Sequence, residues 1–185
     1  MEQPDPAAAS APTPGRIRAA GPADLAAVTA IYNHYIETSA YTFDLHAFAP
    51  EARRPWFEGF RTAGRHRLLV AEGAGGDLLG YACSGPLRPK AAYDRSVETT
   101  IYLHPDARGS GLGPRLYGAL LDLLAANDVH RCYAVITVPN PVSIRLHERL
   151  GFREVGRLTE CGFKFDAWWD VVWMEKGLPE APAHA

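Results

Sequence analysis

The chain has 185 residues and a mass of 20.2 kDa, the size of one domain, with 47% hydrophobic and 22% charged residues, an ordinary globular balance. A net charge of -2 and a pI near 6.4 leave no basic excess to neutralise a run of phosphates, and no segment reaches the roughly 18 consecutive apolar residues of a membrane span, so neither nucleic acid nor membrane is expected as a main partner. Cys83, Cys132 and Cys161 are odd in number and far apart; they fit neither a disulfide framework nor a CxxC knuckle, and a reducing cytoplasm is the expected compartment.

Residues 1 to 15 hold four prolines and no aromatic or branched aliphatic side chain, too little apolar surface to offset the entropy of ordering, so they read as a disordered tail. They lack the basic start and apolar stretch of a secretory signal, in agreement with a cytoplasmic protein. One domain is expected over residues 16 to 177, and residues 178 to 185, with Pro179 and Pro182, read as a second tail. Within the domain, Arg16 to Ala20 is a short strand. Pro22 then opens a helix, with Asp24 at the positive end of its dipole and Leu25, Val28, Ile31, Tyr32 and Tyr35 at helical spacing. A second helix is predicted from Pro50 to Thr62. Arg67 to Ala71 and Leu78 to Ser84 are apolar strands, joined from Glu72 to Asp77 by a glycine-rich connection that suits a hairpin.

Val97 to Leu103 alternates, with Val97, Thr99, Ile101 and Leu103 on one face and Glu98, Thr100 and Tyr102 on the other; the strand carries an acid. Leu112, Leu116, Leu120 and Leu124 recur every fourth residue beside Tyr117 and Leu121, which predicts an amphipathic helix from Gly113 to Asn127. Cys132 to Val138 is an almost continuous apolar run, as in a strand covered on both faces. Asn140 and Pro141 form an N-cap and first-turn pair for a short helix ending at Gly151. Phe152 to Phe165 and Ala167 to Glu175 are two more strands around a turn at Lys164, Phe165 and Asp166. The whole is a mixed α/β sheet.

The most informative stretch is Arg108-Gly-Ser-Gly-Leu-Gly113, between the acid-bearing strand and the leucine helix. Gly109, Gly111 and Gly113 permit unusual dihedrals and close approach of a ligand to the backbone, while the free N–H groups and dipole of the helix start attract an anion; a phosphate or pyrophosphate is expected there. No Lys-[Ser/Thr] follows the last glycine, so this is not a P-loop, and the spacing is not the GxGxxG of a dinucleotide fingerprint.

What remains is [Gln/Arg]-x-x-Gly-x-[Gly/Ala], supplied by Arg108, Gly111 and Gly113. With this motif the sequence resembles the GNAT superfamily of acetyl-CoA-dependent N-acetyltransferases, over residues 16 to 176. Further strings resemble its phosphinothricin and methionine sulfoximine acetyltransferase branch: Ile31-Tyr-Asn-His-Tyr-Ile36, Thr42-Phe43, Val97-Glu98, Ile101-Tyr-Leu-His-Pro105, Ser143-Ile-Arg-Leu-His-Glu148, Leu150-Gly-Phe152, and Gly162-Phe-Lys-Phe165 followed by Trp168 and Asp170. The resemblance implies an α/β GNAT acyl-CoA N-acyltransferase fold with a mixed, mostly antiparallel sheet flanked by helices. It also implies a small-molecule amine substrate, acetyl-CoA as cosubstrate with no metal, and a homodimer.

Carried over residue by residue, the resemblance gives the main chain of Ile101, Tyr102 and Leu103 as a splayed strand edge for the pantetheine arm. Arg108, Gly109, Ser110, Gly111, Leu112, Gly113 and Pro114 then become the pyrophosphate cradle. Pro114 departs from the basic or hydroxyl residue frequent at its position and removes one N–H donor. Glu98 is the candidate general base: an amine must be neutral to attack, and a carboxylate inside a strand is otherwise disfavoured. Composition alone leaves a solvated glutamate on an open sheet face as at least as good a reading; the resemblance tips the balance. Asn140 is fully explained as a helix cap, to which the resemblance adds a cofactor contact, and Ser143 and His147 follow near one face of the same helix. His147 stands where many relatives have a tyrosine and is either the proton donor to the leaving thiolate or an orienting residue.

For the substrate, Tyr32, Tyr35 and Phe43 are candidate pocket walls, and Arg88 and Lys90, just before the Glu98 strand, are candidate carboxylate partners, a solvated loop being the better reading for at least one of them. The remaining histidines have no metal-ligand spacing, and Trp168, Trp169 and Trp173 are read as hairpin and interface packing. Rival readings are an acetyltransferase for a protein N-terminus, polyamine or aminoglycoside, a noncatalytic acetyl-CoA sensor, and a nucleotide-binding module.

Overall fold

Alternation and helical spacing sort the apolar side chains onto the two faces of one sheet. The computed structural model describes residues 14–179, within which the strands are β1 (Pro14–Ala19), β2 (Leu68–Gly73), β3 (Leu78–Pro86), β4 (Ser96–Leu103), β5 (Arg131–Val138), β6 (Arg153–Lys164) and β7 (Ala167–Gly177). The helices are α1 (Leu25–Thr38), α2 (Pro50–Glu58), α3 (Leu112–Ala125) and α4 (Pro141–Arg149). The strands form one seven-stranded sheet in the order β1-β2-β3-β4-β5-β7-β6. Every neighbouring pair is antiparallel except β4 and β5.

On one face, Leu112, Leu116, Leu120 and Leu124 of α3 are fully buried against Val97, Ala134 and Val172. Each such leucine contributes about 1.5–3 kcal/mol of burial. On the other face, Val28, Ile31 and Tyr35 of α1 pack on Val70, Tyr81 and Cys83. The alternation in β4 therefore has a structural meaning: Val97 and Thr99 are buried, while Glu98, Thr100 and Tyr102 face a cleft on the α1 and α2 side.

Boundaries differ from expectation for local reasons. A 3-10 turn at Pro22–Asp24 precedes α1, and Arg18 holds Asp24 at 2.6 Å. The second helix stops at Glu58, because Gly59 follows and the Arg61 N–H turns away to the His66 carbonyl. The third starts one residue early, at Leu112, and ends at Ala125; Asn127 donates from Nδ2 to the Leu123 carbonyl just beyond it. At the domain ends the sheet extends past the expected limits. Pro14 and Gly15, assigned to the first tail, belong to β1. Leu178, assigned to the second, is buried in the core and donates its N–H to His130. β7 ends at Gly177, and the proline that follows Leu178 does not pull the leucine out of the core. The rest of the two expected tails, 1 to 13 and 180 to 185, lies outside the described residues.

Candidate active site

The site begins where β4 and β5 part. Their parallel pairing covers only Ser96 with Arg131, Val97 with Cys132 and Glu98 with Tyr133, while β4 stays paired to β3 as far as Leu103. From Thr99 onward the β5-facing edge of β4 is unpaired with β5, as the sequence led one to expect for Ile101, Tyr102 and Leu103. Thr99 marks the fork. Its hydroxyl donates to the Tyr133 carbonyl at 3.0 Å, so the Tyr117 hydroxyl, 2.6 Å away, must be the donor in the second bond. Side chains thus replace backbone pairing at the point of divergence. Tyr35 ties the far end by donating to the Leu103 carbonyl at 2.7 Å.

The glycine loop follows β4 directly. Gly109 and Gly111 both have φ of 76°, and Gly111 is the N-cap of α3 with no capping side chain. A Cβ at either glycine would meet nothing within 4 Å, so the surface in front of the loop is open and their requirement is conformational. Ser110 closes the loop by donating to the Ala107 carbonyl. Gly113 and Pro114 lie in the first turn of α3. Uncapped N–H groups, a positive helix end and an open approach suit a diphosphate, with one donor lost at Pro114.

A cleft of about 490 Å³ runs across the fork. It brings together Glu98, Ile101, Tyr102, Leu103, Arg108, Asn140, Ser143 and His147 with Tyr32, Tyr35 and Phe43. Burial pushes the Glu98 carboxyl above its ordinary range, and the nearby Arg88 charge pulls it partly back. Asn140 accepts from the Ser143 N–H at 3.1 Å, the expected cap. His147 is buried, and its Nδ1 lies 2.8 Å from the Ser143 carbonyl. Nδ1 therefore carries the hydrogen, which leaves Nε2 as an acceptor. Burial also lowers the imidazole below its usual range, against the weaker opposing effect of the Ser143 carbonyl. Tyr117 and Phe152 pack edge-on against the ring, with centroids 5.0 and 5.1 Å away.

A forked parallel pair, a glycine loop at the head of the following helix and an acid at the branch point agree with the family match: residues 28–152 fit the model of the Acetyltransferase (GNAT) family. The chain belongs to the GNAT acetyltransferases. Enzymes of this family are acetyl-CoA-dependent N-acetyltransferases, and this chain is one of them. It is 51% identical to a phosphinothricin N-acetyltransferase of Streptomyces coelicolor over 84% of this chain and 91% of the relative. A methionine sulfoximine/methionine sulfone acetyltransferase of Pseudomonas paraeruginosa is 37% identical, over 88% of this chain and 94% of the relative. The solved phosphinothricin acetyltransferase of Sinorhizobium meliloti in complex with AcCoA superposes with a TM-score of 0.85 at 32% identity, covering 92% and 91% of the two chains. The branch and the fold expected from the sequence are both borne out.

Two of the candidate substrate residues of this GNAT enzyme lie elsewhere. Arg88 and Lys90 are exposed and outside the cleft lining. Arg88 donates to its neighbour's carbonyl and covers the Trp173 ring at 5.3 Å, so it acts on Glu98 through its charge. Lys90 is the N-cap of a 3-10 turn at Ala91–Tyr93 that precedes β4.

The cleft also holds residues that sequence reasoning missed. Arg53 and Trp56 reach it from α2, and Tyr41 and Thr42 from the loop after α1. That loop is pinned by Tyr32, whose hydroxyl lies 2.6 Å from both Thr42 Oγ1 and Asp44 Oδ2, and by buried Lys164, which donates from Nζ to the Thr42 carbonyl at 2.9 Å. Phe43 rests against the bare backbone of Gly162, where a Cβ would collide with its ring. The Thr42-Phe43 and Gly162-Phe-Lys-Phe165 strings were visible in the sequence; their mutual contact was not.

Proposed function

We propose that this enzyme transfers the acetyl group of acetyl-CoA to the primary amine of a compact amino-acid-like substrate of the phosphinothricin or methionine sulfoximine type, with both substrates bound together. The observation that carries the reading is the fork with Glu98 at its root. An acid of raised affinity for protons lies between a backbone-lined groove and an aromatic-walled cleft. The names of the relatives support the substrate class.

Acetyl-CoA supplies an activated acetyl group. The main chain of Gly109 to Gly113 holds its diphosphate, and the β5-facing edge of β4 from Ile101 to Leu103, where Tyr35 already occupies the Leu103 carbonyl, takes the amide-bearing arm, with Arg108, Asn140 and Ser143 alongside. Glu98 accepts the amine proton, so that the amine is neutral when it attacks; its raised pKa suits a base working near neutrality. His147 is an orienting residue. A proton donor would have to be imidazolium at working pH, and burial opposes that state while the Nδ1 hydrogen is already committed to the Ser143 carbonyl. Tyr32 and Phe43 wall the amine side, and Tyr35 braces the end of β4.

The protein acts in the reducing cytoplasm, where Cys83, Cys132 and Cys161 are free thiols. It is a homodimer through the β6–β7 hairpin, whose Phe163, Phe165 and Trp168 are 52%, 54% and 60% exposed; a monomeric mass at micromolar concentration would contradict this. The function itself is tested by free-thiol release from acetyl-CoA with phosphinothricin, methionine sulfoximine, a polyamine and an N-terminal peptide as acceptors. Release with the first two supports the reading. Release with the polyamine or peptide alone, or none at all, overturns it.

A further inference from the structure

Arg53 sits in the first turns of α2, in a helix with few apolar residues, and yet it is only 7% exposed. Its guanidinium carbon lies 4.2 Å from the Tyr32 ring centroid and 3.9 Å from that of Trp56. Ring faces attract the cation but accept no in-plane N–H bond. Among the described residues no atom accepts a hydrogen bond from Arg53, no carboxylate forms an ion pair with it, and Nη1 is buried without a partner. Burying a permanently charged group with its donors unmet is unfavourable, so an uncompensated guanidinium on a cleft wall marks a missing anion.

The cleft that Arg53 lines is the one that holds Glu98. Glu98, Thr100 and Tyr102 alternate along one face of β4, and the Tyr32 ring under Arg53 packs edge-on against Tyr102, centroids 5.3 Å apart. Base and guanidinium therefore open onto a shared volume from one side of the sheet. Arg88 and Lys90 differ from Arg53 in being exposed and outside the lining.

We propose that Arg53 is the specificity residue that receives an oxyanion of the amine substrate, a carboxylate or a phosphinate, while Glu98 faces the amine. This rests on the functional reading above. Arg is suited to the task because its planar fork offers two parallel N–H bonds to two oxygens, and the flanking rings hold the fork in one orientation. The aromatic sandwich excludes water from the guanidinium faces, which strengthens the charge-assisted bonds.

The test uses the full-length enzyme, Arg53→Gln and Arg53→Lys, with phosphinothricin, methionine sulfone and the decarboxylated analogue of phosphinothricin as acceptors. Arg53→Gln raises the KM for phosphinothricin by about 10- to 100-fold, the loss expected for hydrogen bonds to a charged group, and leaves the KM for acetyl-CoA unchanged. Its Tm does not fall, because the substitution removes an uncompensated buried charge. Arg53→Lys, which keeps the charge without the fork, gives an intermediate KM. If the effect disappears with the decarboxylated analogue, the oxyanion is the carboxylate; if it disappears with methionine sulfone, whose tail is neutral, it is the phosphinate. Both outcomes support the assignment. A wild-type enzyme that turns over none of the three overturns the functional reading. An active wild type with an Arg53→Gln variant of unchanged amine KM, or of lowered Tm with both KM values raised together, overturns only the role of Arg53.

Discussion

The two sides of the fork are built by different means. On the proposed cofactor side, the groups on offer are main chain: the β5-facing edge of β4, the left-handed glycines 109 and 111, and the uncapped start of α3. On the proposed amine side they are side chains from distant segments, with Tyr32 from α1, Arg53 from α2, and Phe43 held over Gly162 of β6. Main-chain recognition constrains which residues are tolerated over a short stretch, so it leaves a local motif. Side-chain recognition assembled across the fold leaves only scattered letters.

If the two sides are separable, substitutions will sort by which substrate they affect. Glu98 belongs to neither and should give the largest effect. Glu98→Gln lowers kcat by about 10²- to 10⁴-fold with both KM values little changed, read from initial rates of thiol release. Next is the cofactor side. Gly111→Val forces a branched residue to a φ of 76° and raises the KM for acetyl-CoA by about 10-fold or more, leaving the amine KM alone; an unaltered acetyl-CoA KM in the folded variant breaks the assignment of the loop. On the amine side, Gly162→Ala drives the exposed Phe43 ring off the cleft wall. The amine KM then rises a few-fold while acetyl-CoA binding is untouched, and a rise in both would mean that the sides are coupled.

The smallest effect is a displacement of a pH profile. Burial raises the Glu98 pKa and the positive charge of Arg88 lowers it. The base works ionised, so kcat/KM climbs as pH rises through that pKa. Arg88→Gln removes the lowering influence, the pKa goes up, and the ascending limb moves to higher pH with the plateau unchanged. A limb that stays in place, or moves down, separates Arg88 from Glu98.

Much of the fold was legible because its signals are local. Alternation in β4, the four-residue leucine spacing in α3 and the Asn140–Pro141 start of α4 are each confirmed by burial or by a cap bond. Domain ends were less legible: Leu178 sits beside a proline, and only its place in the core cluster and its N–H bond to the His130 carbonyl explain its burial. In the site, the glycine loop and Glu98 could be read because strand, loop and helix follow one another along the chain. Arg53 could not, since one of two adjacent arginines in a polar helix looks solvated until Tyr32 and Trp56 are seen to enclose it. Arg88 and Lys90 drew attention by sequence proximity to Glu98; both are exposed and outside the cleft lining, and Arg88 reaches Glu98 through its charge.

The central claim is that a carboxylate at the root of the fork removes the proton of the attacking amine. Its most direct test is the ratio of wild-type to Glu98→Gln kcat for phosphinothricin, followed from about pH 7 upward toward the pKa of the amine itself. The account predicts a ratio that is large near neutrality and shrinks steadily as more of the amine becomes neutral without help. A ratio that stays flat across that range, or a variant with wild-type kcat near pH 7, would contradict it.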